Sequence, residues 1–140
     1  MNKEVTLILK GLHLSAGEEN NLESCLRGNY FFKNGRHFVM AKEDNEGVIT
    51  DMRLTFDENS LTVRRSGEVV TELVFEKDKK HDTMYRTPFG AIPIQTSTKE
   101  YYVNLKELED GLIEGALKYS LYVDGNPQSE ATLVFKIENR

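Results

Sequence analysis

The chain has few of the residues that mark secreted or membrane proteins. Its 140 residues include one cysteine, Cys25, which excludes an intramolecular disulfide. Secreted domains of this size often carry disulfides. The apolar run near the N-terminus is short and broken by Lys10, unlike a signal peptide, and no stretch approaches the about 20 apolar residues of a transmembrane helix. We therefore expect a cytoplasmic protein that does not engage a membrane.

Motifs that hold metals or cofactors are also missing. The three histidines, His13, His37 and His81, are widely separated and no cysteine cluster accompanies them, so no metal site is predicted. Phosphate-binding loops, dinucleotide fingerprints and hydrolase motifs are absent from the sequence. Cys25 lies in an alternating segment without a basic neighbour, which is typical of a packing residue. We expect no cofactor, no metal and no catalytic constellation, so an enzyme is the least favoured class.

Charge and length give two further expectations. The 23 acidic and 18 basic residues are interspersed and leave a formal net charge of −5. Proteins that bind polyanions usually present a basic face, so nucleic acid is disfavoured as a partner. A chain of 140 residues suits one domain with a real core, which we place over residues 1–140.

What the sequence has in abundance is short alternating segments separated by turn signals. Asn34-Gly35 is the strongest of these hairpin signals. The clearest hairpin runs from His81 to Thr98 and turns at Thr87-Pro88-Phe89-Gly90. No amphipathic helix of three or more turns is visible. Many short strands with short connections predict an all-β fold, an antiparallel up-and-down barrel of 8–10 strands.

Four local expectations accompany this fold. Ser15–Asn21 is predicted to be a polar loop with room for a short helical turn. Leu105–Asp110 is the other segment in which a helical turn is expected. Phe89 is expected to plug one end of the barrel. Pro93 has no amide donor and belongs at an edge or a bulge, so it marks a place where closure of the barrel is imperfect.

Several motifs occur in a fixed order along nearly the whole chain. They are Arg65-Ser66-Gly67, Tyr85-x-x-x-Phe89-Gly90, Thr96-Ser97-Thr98 and Tyr119 before a glycine-containing turn. This order resembles the YwiB-like family of small bacterial proteins. The resemblance implies a lipocalin-like (calycin) barrel of unknown function, and it supplies no catalytic residues.

Arg65 is the most informative single residue. It shares its parity with Leu61 and Val63, so its side chain should leave the strand on the apolar side. Burying a guanidinium removes it from water, and this desolvation costs on the order of several kcal/mol unless the group is paired. Two interpretations remain: Arg65 reaches water at the barrel rim, or it anchors the anionic group of a ligand. Interior arginine and tyrosine have that second role in fatty-acid-binding proteins, which is an analogy.

Hydroxyl groups near the His81–Thr98 hairpin complete the candidate binding site. Each threonine alone is explained as a good strand former, and a buried tyrosine finds a backbone partner. Together with Arg65 they predict a polar spot inside an apolar barrel. The candidate ligand-binding residues are Arg65, Tyr85, Thr87, Thr96, Thr98 and Tyr119.

Two functional classes follow from this pattern. The first is a non-catalytic barrel that binds a small, partly apolar or anionic ligand in its interior. The second is a fully packed barrel, a monomer or a homodimer, that acts through its surface as a protein-interaction module. The second is supported by the large side chains expected inside, Phe32, Met52, Phe56, Phe75, Phe89 and Phe135.

Overall fold

A computed structural model describes residues 3–15, 18–104 and 112–139. These residues form ten strands and no helix. The strands are β1 Lys3–Ser15, β2 Glu18–Lys33, β3 Arg36–Asn45, β4 Val48–Phe56, β5 Ser60–Ser66, β6 Val70–Glu76, β7 Lys80–Thr87, β8 Gly90–Asn104, β9 Leu112–Val123 and β10 Asn126–Asn139. The expected helical character of Leu105–Asp110 lies outside the described residues.

The ten strands form one closed antiparallel barrel. Each strand pairs with its neighbours in sequence, and β1 pairs with β10 to complete the circle. Short connections make this order inevitable, because a two- or three-residue turn brings a strand back beside the one before it. The predicted all-β up-and-down barrel is confirmed.

Left-handed turn residues set several of the hairpins. Asn34 and Gly35 have φ of 53° and 79°, and Asp124 and Gly125 have 52° and 79°. Two consecutive positive φ values match the right-handed twist of the flanking strands. The Asn-Gly prediction is therefore confirmed, and a side chain with a branched Cβ would be strained at either glycine.

Two of the local expectations are wrong in part. The predicted loop Ser15–Asn21 is in part strand, because β2 begins at Glu18 and its polar residues give β1 its backbone partners. Pro93 lies at the edge of the β8–β9 pairing, which begins at Ile94, as expected, but the barrel is closed rather than imperfectly closed. The Pro93 carbonyl accepts a hydrogen bond from the Asp124 amide at 2.8 Å, so its missing donor faces the side on which β9 has already ended at Val123. The register shifts are at Thr98/Glu100 and Pro127/Ser129 instead.

One end of the barrel, here called the packed end, holds the core. It contains the β2–β3, β4–β5 and β6–β7 turns. His37, Phe56, Leu61 and Phe75 lie directly opposite one another on four successive strands, and the last three are buried. Phe135 reaches Phe56 from the far wall with ring centroids 5.3 Å apart. Buried inward side chains from facing walls thus form the core at this end.

The large inward residues expected from the sequence are only partly inside. Met52, Phe56, Phe75 and Phe135 are buried as predicted, whereas Phe32 is 54% exposed. Phe89 is 99% exposed at the tip of the β7–β8 turn, so it does not plug the barrel. A two-residue turn tip extends beyond the sheet, and its side chain has nothing to pack against.

The opposite end, here called the polar end, is open to solvent. It contains the β3–β4, β5–β6, β7–β8 and β9–β10 turns. Side chains that have the inward parity become exposed here, with Ile92 at 40% and Leu22 at 63%. In the part of the chain that the structure describes, no helix has the length and apolar character to cross a membrane.

Candidate functional site

Arg65 lies at the polar end on the inner side of β5. Its direct cross-strand neighbours are Met52 on β4 and Thr71 on β6, and Ala41 on β3 lies opposite Met52. Met52 is buried in the interior, and directly opposite residues point to the same face of a sheet. Arg65 therefore points into the barrel, as its parity predicts, but it is exposed rather than buried because that end is open.

The charge of Arg65 acts on the opposite wall. Among the described residues Arg65 forms no ion pair. Burial raises the pKa of the Tyr119 hydroxyl, and the positive charge of Arg65 opposes that rise. The guanidinium and the phenol therefore belong to one electrostatic environment.

Tyr119 and Thr98 form a pair across β9 and β8. The Tyr119 ring packs against Phe75 with centroids 4.6 Å apart, and Thr98 lies directly opposite Tyr119. Thr98 is 2% exposed, and its Oγ1 has no hydrogen-bond partner within the described chain. A buried hydroxyl without a partner costs about 1–3 kcal/mol, and the backbone of Thr98 bonds to Asp78 and Lys79 in the β6–β7 turn.

Thr96 and Thr87 have structural roles. The Thr96 Oγ1 donates a 2.6 Å hydrogen bond to the Val74 carbonyl. This bond joins β8 to β6 across the place where β6 and β7 pair only at Val70 and Arg86. Thr87 Oγ1 donates to the Gly90 carbonyl at 3.0 Å and accepts from the Phe89 amide at 3.1 Å, which fixes the β7–β8 turn.

Tyr85 keeps its hydroxyl free. It is half-buried on β7 opposite Ile92, next to Arg86. Its hydroxyl makes no hydrogen bond to any residue that the structure describes. Of the six predicted residues, Arg65, Tyr119, Thr98 and Tyr85 thus bring unpartnered polar groups to the inner wall, and Thr96 and Thr87 do not.

Sequence reasoning missed an acidic residue on the inner wall. Glu43 continues the inward parity of Val39 and Ala41, and it is half-buried. Ser24 on β2 donates a long hydrogen bond of 3.5 Å to its carboxylate. The signal was present in the alternation of β3, and the polar turn that follows obscured it. Glu43 does not pair with Arg65.

His37 and His81 lie apart from the residues around Arg65. His37 at the packed end is 2.7 Å from the Tyr30 hydroxyl through Nδ1, and burial lowers its pKa. His81 is 3.0 Å from a Glu76 carboxylate oxygen. Within 3–15, 18–104 and 112–139, no group of three or more histidine, cysteine or acidic residues is arranged so that it could hold a metal ion.

Comparison with known proteins identifies a family and a solved structure of the same fold. Residues 8–135 match the family described as a domain of unknown function, DUF1934. The crystal structure of the ywiB protein from Bacillus subtilis superposes with a TM-score of 0.87 at 19% identity, over 99% of this chain and 93% of that one. At that identity the likeness concerns the fold alone. No curated protein matches the chain.

Proposed function

Because the chain belongs to the DUF1934 family, whose function is unknown, we propose its function from its own residues. We infer that it is a non-catalytic, lipocalin-like cytoplasmic barrel that binds a small, partly apolar anion inside its polar end. The observation that carries the proposal is Arg65, an inward-pointing cation without a counter-charge among the described residues.

The surroundings of Arg65 favour an anion from outside the protein. Its cross-strand neighbours, Met52 and Thr71, carry no charge. A guanidinium presents a planar set of donors that fits a carboxylate or phosphate through two parallel hydrogen bonds. The unpartnered hydroxyls of Tyr85 and Tyr119 add neutral donors on the inner wall. Such a set satisfies an acidic group better than a neutral one.

The wall beneath Arg65 favours an apolar tail. Moving one step along each strand toward the packed end, the next inward residues are Leu54, Val63 and Leu73. On the facing wall, Leu117 and Leu133 lie opposite each other. A ligand whose charge stays at Arg65 would place its other end against these side chains, and removal of its apolar surface from water contributes roughly 25 cal/mol per Å².

Titration of decanoate into the delipidated protein tests this proposal. Calorimetry should detect binding to the wild type and about ten- to a hundredfold weaker binding to Arg65→Gln, since a hydrogen bond to a charged group contributes about 1.5–3 kcal/mol. Arg86→Gln is the matched control, because Arg86 is exposed on the outer side of β7 and the change removes the same charge. Absence of decanoate binding to the wild type would contradict the proposal.

A second candidate function rests on a different observation. Phe89 is almost fully exposed, and Val48 and Ile49 are also exposed at the polar end. Apolar side chains around a rim favour a protein-interaction or homodimerising module. Light scattering of the wild type and Phe89→Ser distinguishes the two: a dimer that the substitution dissociates supports this function, and a wild-type monomer counts against it.

A further inference from the structure

The barrel wall divides between β2 and β3. These strands pair only along Gly28–Lys33 and Arg36–Ala41. On the far side of Gly28, the backbone of the described β2 residues pairs with β1 alone, and that of β3 after Ala41 pairs with β4 alone. The long Ser24–Glu43 side-chain hydrogen bond spans the gap. We call this divergence the β2–β3 fork. A cleft of about 970 Å³ occupies it.

Small residues stand where β2 and β3 separate, and interior side chains line the cleft there. Gly28 and Ala41 are the last pair before the strands separate. A Cβ atom at Gly28 would lie 2.6 Å from the Met40 carbonyl oxygen, so no larger residue fits there without displacing the backbone. Leu26, Ala41 and Met52 line the cleft with Met40. Its floor is therefore apolar and consists partly of residues from the interior of the barrel.

Two of the four cations that line this cleft lack a partner. Lys42 lies 3.8 Å from Asp51, and Arg64 lies 3.2 Å from Glu72. Arg27 and Arg53 also line the cleft, and within the described ranges neither makes an ion pair or a side-chain hydrogen bond.

The register explains why these two arginines stay unpaired. Arg53 is directly opposite Met40 on one side and Arg64 on the other. Like charges opposite each other are destabilising. Arg27 is opposite Thr6 on β1 and has no partner across the fork. The fold therefore keeps two guanidinium groups without a counter-charge, Arg27 on β2 and Arg53 on β4 beside the β3 arm of the fork, and pairing within the protein does not explain them.

The cleft also holds three carboxylates, and they do not neutralise the arginines. They belong to Glu4, Asp44 and Asp51. Asp51 faces Lys42, and the Asp44 Oδ1 accepts a 2.9 Å hydrogen bond from the Gly47 amide. Glu4 lies on β1 opposite Asn29, and it has no ion pair among the described residues.

We propose that the β2–β3 fork is a second binding site, which takes the anionic group of a small amphiphile between Arg27 and Arg53 and its apolar part over Leu26 and Met40. This site is separate from the one at Arg65 and does not depend on it. The two sites are joined through the inner wall, since Ala41, Met52 and Arg65 lie side by side on β3, β4 and β5.

The single cysteine provides a direct measurement, because Cys25 is exposed and lines the cleft. Its alkylation by iodoacetamide is followed by mass spectrometry with and without saturating decanoate. A ligand in the cleft should slow alkylation roughly fivefold or more, because it blocks the access of iodoacetamide to the exposed Cys25 thiol. Decanol, which lacks the charge, should not protect. Equal rates with and without decanoate in the wild type would overturn the proposal.

Variants separate the two sites. The double variant Arg27→Gln/Arg53→Gln should lose the protection of Cys25 and keep decanoate binding at Arg65 by calorimetry. Arg65→Gln should keep the protection, so failure of the interior site and failure of the fork give different results. In Cys25→Ser/Tyr102→Cys the only thiol is on the outer side of β8, and decanoate should leave its alkylation rate unchanged. Protection that survives in the double arginine variant would contradict the assignment.

Discussion

The two ends of the barrel treat polar groups differently although the same alternation of residues forms both. At the packed end the Tyr101 hydroxyl donates to the carbonyls of Asp57 and Ser60 at 2.8 and 3.0 Å, and Tyr30 meets His37. Farther toward the polar end the hydroxyls of Tyr85 and Tyr119 have no hydrogen-bond partner in the described chain. Buried polar groups are normally satisfied by their own protein, so the polar end has the character of a site and the packed end that of a core.

The charged groups near the buried tyrosines also differ between the two ends. Burial and the nearby Asp57 carboxylate both raise the pKa of Tyr101. Burial raises the pKa of Tyr119 as well, but Arg65 lowers it. A carboxylate beside a phenol disfavours its ionised form, whereas a nearby arginine favours a negative charge.

The largest expected difference is in the cost of truncating an inward aliphatic side chain. Leu61→Ala removes a fully buried side chain at the packed end and should lower the free energy of unfolding by about 2–5 kcal/mol. Ile92→Ala, at the exposed inner edge of the polar end, should cost less than about 1 kcal/mol. Urea unfolding measures both. Similar costs would mean that the two ends are equally packed.

A second comparison uses two buried threonines two residues apart on β8. Thr96→Val leaves the Val74 carbonyl without its side-chain donor and should destabilise the protein by about 1–3 kcal/mol. Thr98→Val removes a hydroxyl that has no partner within the described residues, so stability should stay the same or rise. A large loss of stability in Thr98→Val would show that its hydroxyl has a structural role.

Acid should weaken the packed end through His37. Burial lowers its pKa below the unfolded value of 6.5, more than Asp57 raises it. The unfolded chain therefore binds a proton at higher pH than the native protein, and stability falls as the pH drops below about 6.5. Urea unfolding between pH 7.5 and 5 should show this decline, and His37→Gln should reduce it. The same slope in both proteins would assign the decline to other groups.

The smallest expected effect is a spectroscopic shift at the polar end. Since Arg65 lowers the pKa of Tyr119, Arg65→Gln should raise it. Ultraviolet titration of tyrosinate, with Tyr119→Phe subtracted to isolate that residue, measures the change. An unchanged Tyr119 titration would place Arg65 out of electrostatic reach.

The sequence predicted the barrel and the direction of Arg65, because alternation alone determines which face a strand residue occupies. It did not predict which polar groups would be satisfied, because that depends on register and on strand separation. Thr96 and Thr98 look alike in sequence, yet the partner of Thr96 is 22 residues away. Arg27 and Arg53 appear to be ordinary surface charges until the fork and the pairing of Arg53 with Arg64 are known. The prediction that Phe89 plugs the barrel was wrong because the inward–outward alternation of a strand does not extend to the tip of a turn.

The most direct measurement is the pKa of bound decanoate, labelled with ¹³C at its carboxyl carbon and followed by NMR in the Arg27→Gln/Arg53→Gln background. If Arg65 holds the anion in the interior, the bound carboxyl should titrate at lower pH than free decanoate, because a facing guanidinium favours its ionised form. Adding Arg65→Gln should abolish that depression. A bound pKa equal to or above the free value with Arg65 intact would contradict anion binding at the polar end.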